Sequence, residues 1–349
     1  MALKVSVVGA SGYAGAELVR LLSSHPKVKI ACLMGESSAG EKFSNLYPSA
    51  RGFVDDEIEP LDLKGLAKKA PMAFLALPHG QAMKLAPSLV EKGVKVVDLS
   101  GDFRLRDPLV YEKWYKAPHT APEFLGRAVY GLPEVNREAV VKADLVANPG
   151  CYATSILLAL LPLVARKAAD PDSLIVDCKS GVSGAGRKMR TEYHFVEANE
   201  NLSVYKPAGT HQHLPEIEQL LAGVAGGDLK LTMTPQLLPV SRGILTTAYG
   251  DLLEEGMSTR HLQSLYRDFY QGHPFVRVYE GDALPDLRSV RGGNFCHLGL
   301  RVDERTRRAL VVSVIDNLGK GAAGQAVQNM NLMNGFAEDA GLNFPGFAP

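Results

Sequence analysis

Cysteine and surplus charge are both scarce in this chain, and each scarcity excludes a class of protein. Four cysteines in 349 residues are too few for a disulfide scaffold, and no two stand at zinc-ribbon spacing. The expectation is a reduced, cytoplasmic protein without a metal site. Basic and acidic residues number 38 each, so no global field draws the chain to nucleic acid or membrane. Any anionic ligand must be held by local donors. Long apolar runs are missing too. The most apolar stretch, Ala153 to Ala165, is broken by Pro162 and falls short of the ~20 residues that span a bilayer. It reads as a buried helix. Met1 to Ala10 lacks the basic start and apolar centre of a signal peptide. No internal repeat stands out.

What is present is ordinary globular material. Hydrophobic residues make up 46% and charged ones 22%, and the length predicts two domains. Leu3–Val8, Val28–Met34, Met72–Leu77, Val94–Leu99 and Asp144–Ala147 are apolar runs. Helical patterns over Tyr13–Ser24 and Gln81–Lys92 lie between some of them. Strands apolar on both faces that alternate with helices indicate a doubly wound parallel sheet of dinucleotide-binding type. After Cys151 the runs Leu174–Lys179, Leu231–Leu238, Ile244–Leu252, Cys296–Val302 and Leu310–Ile315 follow with few helices, chiefly Ser258–Tyr270. That is an α+β pattern with a mixed or antiparallel sheet. The fold class is α/β plus α+β. The first domain spans 1–149, with residues from about 319 to 349 returning to it, and the second spans 150–318.

Gly9-Ala10-Ser11-Gly12-Tyr13-Ala14-Gly15 sits between the first strand and the first helix. There the glycines permit a tight turn and let backbone N–H groups approach a pyrophosphate at the positive end of the helix. Gly9, Ser11, Gly12, Tyr13, Ala14 and Gly15 are the candidate cofactor contacts. Ser11 replaces the second glycine of the usual pattern. After the second strand comes Glu36-Ser37-Ser38. Glu36 could accept from a ribose 2′-hydroxyl, whereas Ser37 and Ser38 suit a 2′-phosphate, so the residues leave NAD and NADP both open. Gly181 to Arg187 is a second glycine loop, with Ser183 and Gly184 as cofactor candidates, and Asn317 could reach a nicotinamide carboxamide.

Asn148-Pro149-Gly150-Cys151-Tyr152 joins a strand end to the apolar helix. A thiol at a helix N-terminus is favoured as thiolate, and the same N–H groups could steady an oxyanion. Cys151 is the candidate nucleophile and Asn148 a candidate substrate contact. Cys32, Cys178 and Cys296 fall in strand patterns and read as packing residues. His211-Gln212-His213-Leu214-Pro215-Glu216 opens another helix. Either His211 or His213 suits acid–base work near neutral pH, and Glu216 stands near them. Arg104, after the Ser100-Gly101-Asp102 turn, and Arg242, in Ser241-Arg242-Gly243, are placed as anion clamps.

Taken together, Gly9–Gly15, Leu77–Gly80, Asp98–Leu105, Asn148–Thr154, Gly209–Glu216, Ser241–Ile244 and Asp316–Gly324 resemble the N-acetyl-γ-glutamyl-phosphate reductases. These belong to the aspartate-semialdehyde dehydrogenase superfamily. The resemblance runs from the first strand to the last helix. It implies NADPH-dependent reduction of a small-molecule acyl phosphate to N-acetylglutamate semialdehyde, through a thioester on Cys151, in arginine biosynthesis. His213 would be the acid–base group, oriented by Glu216, and Arg104 and Arg242 would hold phosphate and carboxylate. A homotetramer, or a dimer, is also implied. The alternatives are the carrier-protein-linked aminoadipyl-phosphate reductase of lysine biosynthesis, aspartate-semialdehyde dehydrogenase, and a non-catalytic NADP-binding sensor. Asn-Pro-Gly-Cys-Tyr at the nucleophile favours the arginine enzyme over the lysine one.

Overall fold

The protein is described by a computed structural model covering residues 2–347. It divides into two compact units. The first holds the chain up to Gly150 together with Ala322–Asn343, and the second holds Cys151–Gly321 and the segment from Phe344. The expected C-terminal return to the first unit therefore begins slightly later, and it stops short of the last residues.

The first unit is a seven-stranded sheet of β1 (Leu3–Val8), β2 (Val28–Met34), β3 (Ile58–Glu59), β4 (Met72–Leu75), β5 (Lys95–Asp98), β6 (Val129–Tyr130) and β7 (Leu145–Ala147). The order is β3-β2-β1-β4-β5-β7-β6, and every pair is parallel. Strands buried on both faces explain the unbroken apolar runs: Val5, Val7, Met72, Phe74 and Val96 are fully buried. The helix Tyr13–Ser23 buries Leu18, Val19, Leu21 and Leu22. The C-terminal helix Gly324–Met333 is buried along its whole length although it carries four amide side chains. Several of its polar atoms find partners inside the unit. Asn331 bonds His25 Nε2 at 3.0 Å and the Ala340 carbonyl at 2.9 Å, and Gln328 donates to Glu338 at 2.7 Å.

The second unit is a mixed seven-stranded sheet of β8 (Ile175–Gly181), β9 (Ser203–Val204), β10 (Thr232–Leu238), β11 (Ile244–Asp251), β12 (Val276–Val278), β13 (Cys296–Asp303) and β14 (Arg308–Ile315). Their order is β12-β13-β14-β11-β8-β10-β9. The helix Cys151–Ala165 lies on this sheet with Tyr152 to Val164 all buried. Pro162 has no N–H to offer the carbonyl of Leu158 four residues back. Tyr270 supplies the missing donor, its hydroxyl reaching Leu158 O at 2.6 Å. Ser155, buried in the same helix, bonds Thr246 on β11 and Ser313 on β14 at 2.8 and 3.1 Å. Among the described residues no helix is long and apolar enough to cross a membrane.

Candidate active site

In the first unit the glycine loop is built as its spacing requires. Gly9 has a φ of +86°, and a Cβ there would lie 2.2 Å from the Ala76 carbonyl oxygen. At Gly15 a Cβ would lie 2.2 Å from the Gly9 oxygen. Both positions are closed to a side chain by the fold itself. Gly12 differs, since its nearest neighbour would be 3.6 Å away. It caps the helix Tyr13–Ser23, which has no side-chain cap and no acidic residue in its first turn. Tyr13 and Ala14 open that turn, and Ser11 is fixed through its carbonyl by the Tyr47 hydroxyl at 2.8 Å. These features fit a dinucleotide pyrophosphate. At the end of β2, Glu36 and Ser37 are exposed and Ser38 is buried.

Arg104 is 5% exposed and anchored through Nε to Asn148 O at 2.8 Å and through Nη2 to Leu99 O at 2.9 Å. The turn before it hangs on Asp102. That buried carboxylate accepts from Gly80 N, Met83 N and the Tyr111 hydroxyl at 2.7, 3.1 and 2.9 Å. Asp98, fully buried, has its pKa pushed up to about 7, by burial first and by the Asp102 charge second. Asn148, the expected substrate contact, is buried. Its carboxamide donates to Ala322 O and accepts from Asn329 Nδ2, both at 3.1 Å. Both ends of the amide thus have partners inside the fold.

In the second unit Cys151 is half-buried at the first turn of its helix, while Cys32, Cys178 and Cys296 are buried. Burial pushes the Cys178 thiol up to about 12. Gly321 lies against the nucleophile: a Cβ there would sit 2.9 Å from Cys151 Cβ. The Tyr205 hydroxyl donates to Tyr152 at 2.9 Å, which donates to Gln236 O at 3.1 Å. Burial holds the Tyr205 phenol above its ordinary pKa, and the Cys151 sulfur adds to the effect. His211 stands edge-on to Tyr152, ring centroids 5.2 Å apart, and 4.8 Å from the His213 ring.

The two histidines have different environments. His211 Nδ1 accepts from the His213 backbone N–H at 3.1 Å, which leaves the neutral ring's proton on Nε2. Burial, helped by Lys206, lowers its pKa to about 4. His213 opens the helix Leu214–Ala225, and its Nε2 lies 4.0 Å from Oε1 of buried Glu216.

Arg242 and Asn317 both have partners within the fold. The Arg242 guanidinium grips Asp316 with Nε and Nη2 at 3.0 Å, so Asp316 fixes how it can approach a ligand. Asn317 accepts from Gly243 N at 2.7 Å and donates to Ser183 Oγ at 2.9 Å. The two ends of its amide thus tie strand ends together, where a nicotinamide contact was expected. Gly184 lies beside the same cluster, its would-be Cβ 3.7 Å from Asn317 Nδ2. Sequence reasoning missed Asp316, Asp102 and Gly321. The flanking glycines of Asp316-Asn317-Leu318-Gly319-Lys320-Gly321 were the available signal.

Both units match known families. Residues 4–143 match the family described as "Semialdehyde dehydrogenase, NAD binding domain". Residues 151–317 match "Semialdehyde dehydrogenase, dimerisation domain". A Geobacter metallireducens protein named N-acetyl-gamma-glutamyl-phosphate reductase is 52% identical over 97% of this chain and 98% of its own length. One of the same name from Pelotomaculum thermopropionicum is 50% identical over the full length of both. Among solved structures, aspartate semialdehyde dehydrogenase II complexed with ASA from Vibrio cholerae superposes with a TM-score of 0.72. It is 19% identical and covers 96% of this chain and 98% of its own. The Candida albicans aspartate semialdehyde dehydrogenase with NADP gives the same TM-score and identity, over 97% and 100% of the two chains. With half its residues shared over the whole length, the chain belongs to the N-acetyl-gamma-glutamyl-phosphate reductase family.

Proposed function

We propose that this chain is an NADP-dependent oxidoreductase that reduces N-acetyl-γ-glutamyl phosphate to N-acetylglutamate 5-semialdehyde and phosphate, in arginine biosynthesis. The observation that carries the reading is Cys151, half-buried at the start of an apolar helix in the unit that also holds His211, His213 and Glu216. The helix's first-turn N–H groups favour a thiolate and can steady an oxyanion on a bound carbonyl.

In the reductive direction the Cys151 sulfur attacks the acyl carbon, the carbon–oxygen bond to phosphate breaks, and a thioester remains. NADPH, cradled by the Gly9–Gly15 loop, supplies hydride when bound. His213 gives a proton to the carbonyl oxygen and then takes it back as the carbon–sulfur bond breaks, which frees the aldehyde and restores the thiolate. Glu216 steadies His213. His211, neutral at working pH, holds the His213 backbone. Arg104 and Arg242 serve the anionic ends of the substrate. Ser37 and Ser38 are the residues offered to a 2′-phosphate. The reading places the enzyme in the cytoplasm as a homo-oligomer, dimer or tetramer.

Steady-state turnover in the oxidative direction tests the reading. N-acetylglutamate semialdehyde with phosphate and NADP should be the preferred set, over aspartate semialdehyde and over NAD. Preference for aspartate semialdehyde contradicts the substrate. Cys151→Ser should lose turnover by orders of magnitude and still bind NADP. Unchanged turnover in that variant would leave a cofactor-binding protein without the proposed chemistry.

A further inference from the structure

Asp316 follows β14, and its carboxylate is wholly buried. Five groups from three separate stretches converge on it. Arg242 contributes Nε and Nη2, each at 3.0 Å. Gly292 N comes to 2.6 Å, and Leu318 N and Gly319 N come to 2.8 and 2.9 Å. The main chain of the same residue does separate work. Its carbonyl accepts from Gly321 N at 2.9 Å, and Gly321 is the glycine that abuts Cys151. One residue therefore anchors both the arginine and the turn beside the nucleophile.

Three backbone donors already solvate this carboxylate, so the ionised form does not need the arginine. The arginine gains more from the pair. A long, rotamer-rich side chain at a turn is held in one orientation by two parallel bonds, while its side chain stays 19% exposed. The 290–293 turn that presents Gly292 N is itself clamped. Phe347 N donates to Arg291 O at 2.6 Å, and the Phe347 ring fills the space where a Gly292 Cβ would stand, 2.4 Å away.

We propose that Asp316 is a positioning residue for substrate recognition: it fixes Arg242 to receive an anionic group of the substrate, with Phe347 bracing the turn that supports it. The inference rests on the reading of Arg242 as a substrate clamp. Asp316→Asn is the test, because it keeps shape and main chain but loses the charge. The KM for N-acetylglutamate semialdehyde or for phosphate should rise ten-fold or more. NADP affinity, read by protein fluorescence, and the rate of Cys151 alkylation by iodoacetamide should stay within two-fold. Arg242→Leu should raise the same KM, and the double variant should rise no further than Arg242→Leu alone.

If all constants move together with a lower melting temperature, or the two effects multiply, the pair is only structural and the inference falls. If Arg242→Leu leaves both KM values unchanged, the clamp reading itself is what fails. Should Asp316→Asn not fold, Phe347→Ala decides. That ring is half-exposed, so the variant should fold and raise the same KM two- to five-fold. An unchanged KM there overturns the proposal.

Discussion

At the scale of single residues, environment separates groups that look alike in the sequence. His211 and His213 are two residues apart and chemically identical, but burial keeps His211 neutral down to about pH 4. A histidine whose folded pKa is depressed contributes stability that is present above the unfolded value of 6.5 and is lost as pH falls toward 4. His211→Gln should therefore lower the melting temperature at pH 7 and leave the acid limb of the pH–rate profile in place. His213→Gln should lower kcat by about 10²–10⁴-fold, the span typical of a lost acid–base group. A larger kcat loss in the His211 variant would reverse the assignment. Cys151, the histidine pair and the arginines stand out in the sequence because a reactive side chain sits at a recognisable turn. Asp316 does not, since its importance lies in donors from residues 242, 292, 318 and 319 meeting at one carboxylate. The partners of Asn148 and Asn317 were hidden for a related reason. A sequence shows an amide beside a site but not the donors and acceptors that engage its two ends.

Among elements, the glycine loop gives the sharpest separation of fold from function. Gly15→Ala would drive a Cβ to 2.2 Å from the Gly9 oxygen, an overpacking that costs about 1–3 kcal/mol. At Gly12 the space is open, so Gly12→Ala should stay within about 1 kcal/mol of the parent. It should still weaken NADP binding about ten-fold, because the methyl group stands where backbone must approach pyrophosphate. Urea unfolding and a fluorescence titration on both variants check this; equal loss of affinity at equal stability would contradict it. The parallel strands and the Cys151–Ala165 helix were legible from their unbroken apolar runs. The two-residue strands β3, β6 and β9 carry too few residues for any period to show. The C-terminal segment is legible as a helix over 321–334, and the helix is Gly324–Met333, but its burial is not legible. Its buried face holds Gln325, Gln328, Asn329 and Asn331, so hydrophobic periodicity, the main signal for a buried helix, is absent there.

On the scale of the whole molecule, a chain with no net charge keeps its electrostatics local, and Asp98 dominates one part of its pH response. A carboxyl with its folded pKa raised to about 7 contributes stability fully below the unfolded value near 4, and this is lost as pH rises through 7. Asp102 and Arg104 are the charges that bear on it. Asp98→Asn should thus gain on the order of 1–4 kcal/mol relative to the parent at pH 8, and little at pH 4. Urea midpoints at the two pH values would show it, and a gain equal at both would contradict it. The two-part plan of the chain, a parallel sheet followed by a mixed one, was legible from where the apolar runs stop alternating with helices. The last residues were not, because Phe344 to Phe347 carry no signal for which unit they join.

The central claim is covalent catalysis by Cys151, and one measurement addresses it directly. The enzyme is mixed rapidly with N-acetylglutamate semialdehyde and NADP without phosphate, then quenched for peptide mass spectrometry. The account predicts a burst of one NADPH per subunit, an acyl group on Cys151, and its discharge when phosphate is added. Steady turnover with no acylated Cys151, or the acyl group on another residue, would contradict it.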